Sequence, residues 1–289
     1  MIARTLVLLL LAAPAVAGEE IVTVPSAGGD IVGTLNVPEG APAPAVLLLH
    51  GFTGSRDELK TDAVPEGIFA RTAARLAEAG YASLRIDFRG SGESLADIES
   101  YAGTTYEGQV ADAIAALDWL AASDRVAGDD LFVIGWSQGG LVATAAAGRT
   151  DLPDAVALWA AVADPKGTFG ALFGEEALAR GMAAAAAEPV TVALPWGAEV
   201  ALNGAYFDGV ETFSPTAEIA GYGGPLLVAQ GTLDTTVPPV AADLLIAAHD
   251  GPEQLWTAEM DHVFGAFAGD AMLEALIAET IAFFAANAD

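Results

Sequence analysis

Short apolar runs alternate along most of the chain with longer stretches whose apolar residues recur every three or four positions. The runs are AVLLLH (45–50), ASLRIDF (82–88), DLFVIG (130–135), AVALWAAV (155–162), PLLVAQG (225–231) and QLWTAEM (254–260). Each has the length of a strand, and neighbouring residues in it are apolar, so both faces of the strand are expected to be covered. The stretches GIFARTAARLAEAG (67–80), GQVADAIAALDWLAAS (108–123), GGLVATAAAGR (139–149), PVAADLLIAAHDG (239–251) and DAMLEALIAETIAFFAAN (270–287) carry the period of a helix with a buried side. Strand and helix in turn predict an α/β fold, a mostly parallel central sheet with helices on both faces.

Two segments depart from that rhythm. Ahead of the first run, EIVTVPS (20–26) and DIVGTLNVP (30–38) flank Ala27-Gly28-Gly29, and the glycines can supply the positive φ angles of a hairpin turn. Between the fourth and fifth runs, the stretch from Asp164 to Gly224 is too long for a connection and too apolar for a linker. It predicts an inserted cap over the sheet at about 165–222. Phe169, Phe173, Trp196, Tyr206, Phe207 and Phe213 lie there, either to line a substrate pocket or to fill the core beneath the cap.

Composition adds bounds at both ends of the scale. The 289 residues are 53% hydrophobic, enough for one domain with a large core. MIARTLVLLLLAAPAVA joins Arg4 to an apolar run from Leu6 to Ala13 and ends on Ala15-Val16-Ala17. That is the layout of a secretory signal peptide over residues 1–17, cut before Gly18, and its run is too short to span a bilayer. Export to the periplasm or the medium is expected, with 18–289 as the mature domain and no membrane anchor. The chain has no cysteine, which leaves neither disulfides nor a thiol for lipid attachment.

Charge excludes a class of partner. Eleven Lys and Arg stand against 39 Asp and Glu, a formal net charge of −28 with no single acidic block. Such a field repels phosphate backbones and argues against nucleic acid. With Lys60 and Lys166 as the only lysines, the surface suits a medium whose salt screens its self-repulsion.

The candidate chemistry starts at LFVIGWSQGGLVATAAAG (131–148). Gly135-Trp136-Ser137-Gln138-Gly139 has the form G-x-S-x-G between a predicted strand and a predicted helix, the setting that thrusts a serine out on a strained turn. A serine hydroxyl needs a base to take its proton, and the base needs an acid to orient it. Of the three histidines, His262 follows the last run, at the sheet edge where active sites of open α/β sheets gather. His249 ends a predicted helix and His50 a predicted strand, where structural roles suffice. Asp234, after the fifth run, gives the chain order Ser, Asp, His; Asp164, after the fourth, is its rival. The main-chain N–H groups of Phe52, in HGFTGS, and of Gln138, opening the helix, are candidates for holding an oxyanion. Trp136 is read as packing beneath the elbow, with a contact to substrate as the alternative. Arg89, in DFRGSGES, is expected to make a structural bond rather than to bind a substrate carboxylate. No metal or organic cofactor is implied.

In this order, LLLHGFTGS, RIDFRGSGES, GWSQGG, QGTLDTTVP and MDHVF resemble the α/β-hydrolase superfamily, from about residue 20 to the C-terminus. HGFTGSRDE, DFRGSGES and SQGG are most similar to the single-domain feruloyl or cinnamoyl esterases and related carboxylesterases. The resemblance implies a triad of Ser137, Asp234 and His262, an oxyanion hole of Phe52 and Gln138, and a cap that shapes an acyl or aromatic pocket. Trp136, Phe169, Phe173, Trp196, Tyr206 and Phe207 are the candidates for that pocket. The expected activity is an exported serine esterase acting on a small-molecule or polymer-derived ester. A prolyl-oligopeptidase-like aminopeptidase on the same fold is the second expectation. A non-catalytic binding protein, which would carry a broken triad, is the third.

Overall fold

The computed structural model describes residues 18–40, 42–94 and 101–288, so the expected leader lies outside the described residues. Among the described residues the strands are β1 (Gly18–Val24), β2 (Ile31–Val37), β3 (Ala43–Leu49), β4 (Ala82–Ile86), β5 (Val126–Trp136), β6 (Ala155–Trp159), β7 (Pro189–Ala193), β8 (Glu199–Asn203), β9 (Leu226–Gly231) and β10 (Glu253–Ala258). Eight of them form one sheet in the order β1-β2-β4-β3-β5-β6-β9-β10, while β7 and β8 pair separately as an antiparallel hairpin. In the large sheet β2 alone runs against the rest, pairing antiparallel with β1 and β4. The other pairs are parallel.

The helices are α1 (Ile68–Glu78), α2 (Tyr106–Ala121), α3 (Gln138–Gly148), α4 (Pro165–Phe173), α5 (Glu175–Ala183), α6 (Gly204–Thr212), α7 (Pro215–Ile219), α8 (Val240–Ala248) and α9 (Ala271–Ala286). Side chains alternate across a strand, so each central strand feeds two core layers. In β3, Leu47 and Leu49 enter the layer shared with α2, α3 and α8, and Val46 and Leu48 enter the layer shared with α1 and α9. Helix α1 buries Ile68, Phe69, Thr72, Ala73 and Leu76, positions that fall on one face of a 3.6-residue turn. Each fully buried Leu, Ile or Phe of this kind contributes about 1.5–3 kcal/mol.

Two runs differ from expectation for physical reasons. QLWTAEM was expected to be covered on both sides, but β10 is the last strand of the sheet and leaves Leu255 45% exposed. AVALWAAV stops being a strand at Trp159, because Ala160 takes a φ of 44° and turns the chain away. Between β6 and β9 the chain leaves the sheet to form α4, α5, the β7–β8 hairpin, α6 and α7. These pack over the layer that holds α2 and α3. Among the described residues no helix is long and apolar enough to cross a membrane.

Candidate active site

Ser137 occupies the single residue between β5 and α3, with φ 56° and ψ −117°. A non-glycine residue in the left-handed region is strained, and the fold holds it there through the backbone. The Ser137 N–H donates to the Trp159 carbonyl at 3.0 Å, and its own carbonyl accepts from Val162 at 3.1 Å. Gly135 and Gly139 allow the turn to close. A Cβ on Gly135 would lie 2.5 Å from the Gly139 carbonyl oxygen, and one on Gly139 would overlap the carbonyl of Leu49.

The turn brings three distant side chains together at the C-terminal edge of the sheet. His262, after β10, has Nε2 3.1 Å from Ser137 Oγ and Nδ1 2.8 Å from Asp234 Oδ2. Asp234, after β9, has a fully buried side chain, and its other oxygen accepts from the N–H groups of Thr236 at 2.8 Å and Val237 at 2.9 Å. Those bonds hold one carboxylate oxygen in place while the other faces the imidazole. Asp164, the rival acid, caps α4 instead, accepting from Gly167 N–H at 2.9 Å. The loop that holds His262 is fixed from below by Trp136, whose indole N–H donates to the His262 carbonyl at 3.2 Å. Trp136 is 5% exposed and packs beneath the elbow against Phe69 and Phe264, with an edge on the cavity described below.

The loop after β3 lies against the serine: a Cβ on Gly51 would be 3.5 Å from Ser137 Cβ. Gln138 is the first residue of the 11-residue helix α3, so its N–H has no partner within the helix and adds to the positive end of the helix dipole. The Gln138 side chain has another duty. Its Oε1 accepts from the Tyr206 hydroxyl at 2.7 Å, and its amide donates to Gln109 Oε1 at 2.8 Å, which ties the inserted segment and α2 to the start of α3. Tyr106 completes this buried network with a hydroxyl contact to Tyr206 at 3.4 Å, and burial pushes both phenols well above their ordinary pKa.

A cavity of about 680 Å3 opens onto Ser137 and His262. Phe52, Leu59, Val162, Phe169, Leu172 and Val263 give it apolar walls, and Trp196 and Phe267, 58% and 71% exposed, stand at its mouth. Of the expected pocket residues, Trp136, Phe169 and Trp196 therefore line the cavity. Phe173, Tyr206 and Phe207 do not; they are buried within the inserted segment, where Phe207 meets both Phe173 and Tyr206 edge to face and fills the space over Gly181. Phe267 and Leu172 were missed by sequence reading, since a lone aromatic in a Gly/Ala loop and a leucine in a short helix give no signal of where they face. His50 braces the loop, with Nδ1 2.8 Å from the Gly51 carbonyl and Nε2 accepting from Phe88 N–H at 3.2 Å. Arg89 makes a structural pair with the buried carboxylate of Asp112, at 2.6 Å.

With this geometry in place, the family model of the prolyl oligopeptidase family matches residues 68–289, which include all three side chains of the triad arrangement. The chain belongs to the prolyl oligopeptidase family. No curated protein matches it. Solved structures show the same α/β-hydrolase fold around this family member. GrgF from Penicillium sp. sh18, an α/β hydrolase, superimposes with a TM-score of 0.76 at 18% identity, over 93% of this chain and 99% of its own. Est1E from Butyrivibrio proteoclasticus, solved with ferulic acid bound, gives 0.72 at 22% identity, over 92% and 98%. A puromycin-hydrolyzing peptidase from Mycobacterium tuberculosis gives 0.69 at 18% identity, over 96% of this chain but 40% of its own. This prolyl oligopeptidase family member is thus a hydrolase by family, built on the α/β-hydrolase fold.

Proposed function

We propose that this protein is a serine esterase that cleaves carboxylic esters with apolar or aromatic acyl groups through an acyl-enzyme. What carries the reading is the hydrogen-bonded chain from Asp234 through His262 to Ser137, ending in an apolar cavity. His262 Nε2 takes the proton of Ser137 Oγ as the oxygen attacks the ester carbonyl, and Asp234 stabilises the imidazolium that forms. The oxyanion is held by the N–H groups of Phe52 and Gln138. The imidazolium then gives its proton to the leaving alcohol. Water, deprotonated by the same histidine, attacks the acyl-enzyme, releases the acid and restores Ser137.

The ester preference is supported by the described cavity walls, in which Glu58 is the sole carboxyl group. Burial pushes that carboxyl up to about 8, so no described wall residue offers a free ammonium group a carboxylate at neutral pH. The ferulic acid bound to Est1E has the size and character that such a pocket takes. Peptide hydrolysis is the second reading, favoured by the family itself and by the peptidase of similar fold. The segment over 165–222 is proposed as the specificity cap, and residues 1–17 as a signal peptide directing export. N-terminal sequencing of the mature protein should then begin at Gly18.

Incubation with a fluorophosphonate probe followed by peptide mapping should label Ser137, and Ser137→Ala should abolish both labelling and turnover. Labelling elsewhere, or none, overturns the serine mechanism. In the same preparation p-nitrophenyl esters should turn over far faster than aminoacyl-nitroanilides, and the reverse order selects the peptidase reading.

A further inference from the structure

The loop that carries Phe52 is anchored by a carboxyl group that the mechanism above leaves idle. Glu58 sits in the left-handed region at φ 58°, and this turn folds its side chain back under the start of its own loop. The side chain is 6% exposed, and Oε1 accepts a hydrogen bond from Gly51 N–H. The Leu59 backbone N–H, like that of Gly51, favours the charged form of this carboxyl, against the burial that disfavours it. Gly54 lies over it, where a Cβ would come within 2.5 Å of Oε1. The carboxyl thus bonds the peptide next to the Phe52 N–H and forms part of the wall of the cavity that contains Ser137.

Among the described residues no cation answers it. His50 Nδ1 is 4.0 Å from Oε1, but both ring nitrogens already serve Gly51 and Phe88, and burial lowers the His50 pKa, so the ring is neutral. In Glu58's own loop, the Arg56 guanidinium is spent on Asp87 and Glu93. Asp57 pairs with the buried Arg85 guanidinium, and the exposed Lys60 pairs with Asp57. Tyr101 adds only a phenol, held neutral by burial, whose hydroxyl accepts from Thr53 N–H. Across the cavity stands His262, bonded to Asp234 and Ser137. Desolvation therefore dominates, and the Glu58 carboxyl is pushed up to about 8.

We propose that Glu58 is a positioning residue of the oxyanion hole: through Gly51 it fixes the direction of the Phe52 N–H, and it does so as the uncharged acid. This inference rests on the reading that Phe52 holds the oxyanion. Ionisation of Glu58 places a negative charge one peptide away from the donor, against a transition state that is itself gaining negative charge there. Below the titration the loop is held by a neutral acceptor. Above it, the same bond tightens on the wrong charge, and turnover falls.

The test is kcat/KM for p-nitrophenyl butyrate between pH 6 and 10, corrected for spontaneous hydrolysis, in the parent, Glu58→Gln and Glu58→Ala. The parent should lose activity above about pH 8 by up to tenfold per unit, the slope of a single titration. Glu58→Gln keeps an uncharged acceptor and should lose that limb. Glu58→Ala should lower kcat by about tenfold or more at pH 7 with KM little changed, the mark of a weakened transition-state donor. An alkaline limb unchanged in Glu58→Gln, or kcat unchanged in Glu58→Ala, overturns the proposal. A measurement on the parent alone keeps the test open if a variant fails to fold: with 13C in the glutamate carboxyls, one resonance should titrate near pH 8, and its absence overturns the proposal. Fluorophosphonate mapping of the parent separates this from the wider reading. Ser137 labelled with the Glu58 results negative strikes Glu58 alone, whereas an unlabelled Ser137 overturns both.

Discussion

Asp164 and Asp234 follow adjacent strands of the sheet, and what comes after each decides its fate. Asp164 precedes Pro165 at the start of α4, so its carboxylate is drawn to the unpaired N–H of Gly167. Asp234 enters a tight turn in which Thr236 and Val237 take one oxygen and leave the other aimed at His262. Replacing Asp234 with Asn should cut kcat by about 10^4-fold, because the imidazole then sits in the wrong tautomer. Asp164→Ala should instead leave turnover near the parent's and cost about 0.5–2 kcal/mol of stability, the value of an N-cap, seen as a fall in Tm. The serine and histidine were legible because a short local pattern and an element edge mark them. Glu58 was not, because Ser-Arg-Asp-Glu reads as a charged surface stretch, and only the positive φ at Glu58 turns its carboxyl inward. Tyr206, Phe207 and Phe173 show the same limit from the other side: an aromatic residue advertises burial but not whether it faces a pocket or a core.

At the scale of elements, the alternation of β and α was readable because each buried strand is a run of neighbouring apolar residues. The β7–β8 hairpin was hidden for the opposite reason. Its five-residue strands bury only Val192 and Leu202, and their exposed flanks imitate a loop. The junction of β5, Ser137 and α3 has little tolerance for added volume, since α3 passes directly beneath the end of β3 at Gly139. Gly139→Ala should cost about 1–3 kcal/mol, as overpacking does elsewhere, and should push the Leu49–Phe52 segment away from the serine. A lower Tm together with a lower kcat checks it; an unchanged kcat would mean that the loop absorbs the added carbon without moving.

For the whole molecule, a formal charge of −28 stores repulsion that no single contact reveals. The ion pairs that oppose it, such as Arg149 with Glu107 and Glu218 or Lys166 with Glu211, are at the surface, where each is worth about 0–1 kcal/mol. Salt screens both effects, but the excess of like charge is the larger. Raising NaCl from about 0.1 M to about 1 M shortens the screening length from about 10 Å to about 3 Å and should raise Tm. A Tm that falls with salt would show that the ion pairs outweigh the repulsion.

The bond from Tyr206 to Gln138 gives the inserted segment a hold on the helix that begins beside the nucleophile. A graft that swapped residues 165–222 for the equivalent piece of a relative would strand a buried glutamine amide unless the donor also brought a phenol to the same spot. Exchange of this segment in the laboratory, or in descent, is therefore coupled to one hydroxyl group that lies outside the cavity wall.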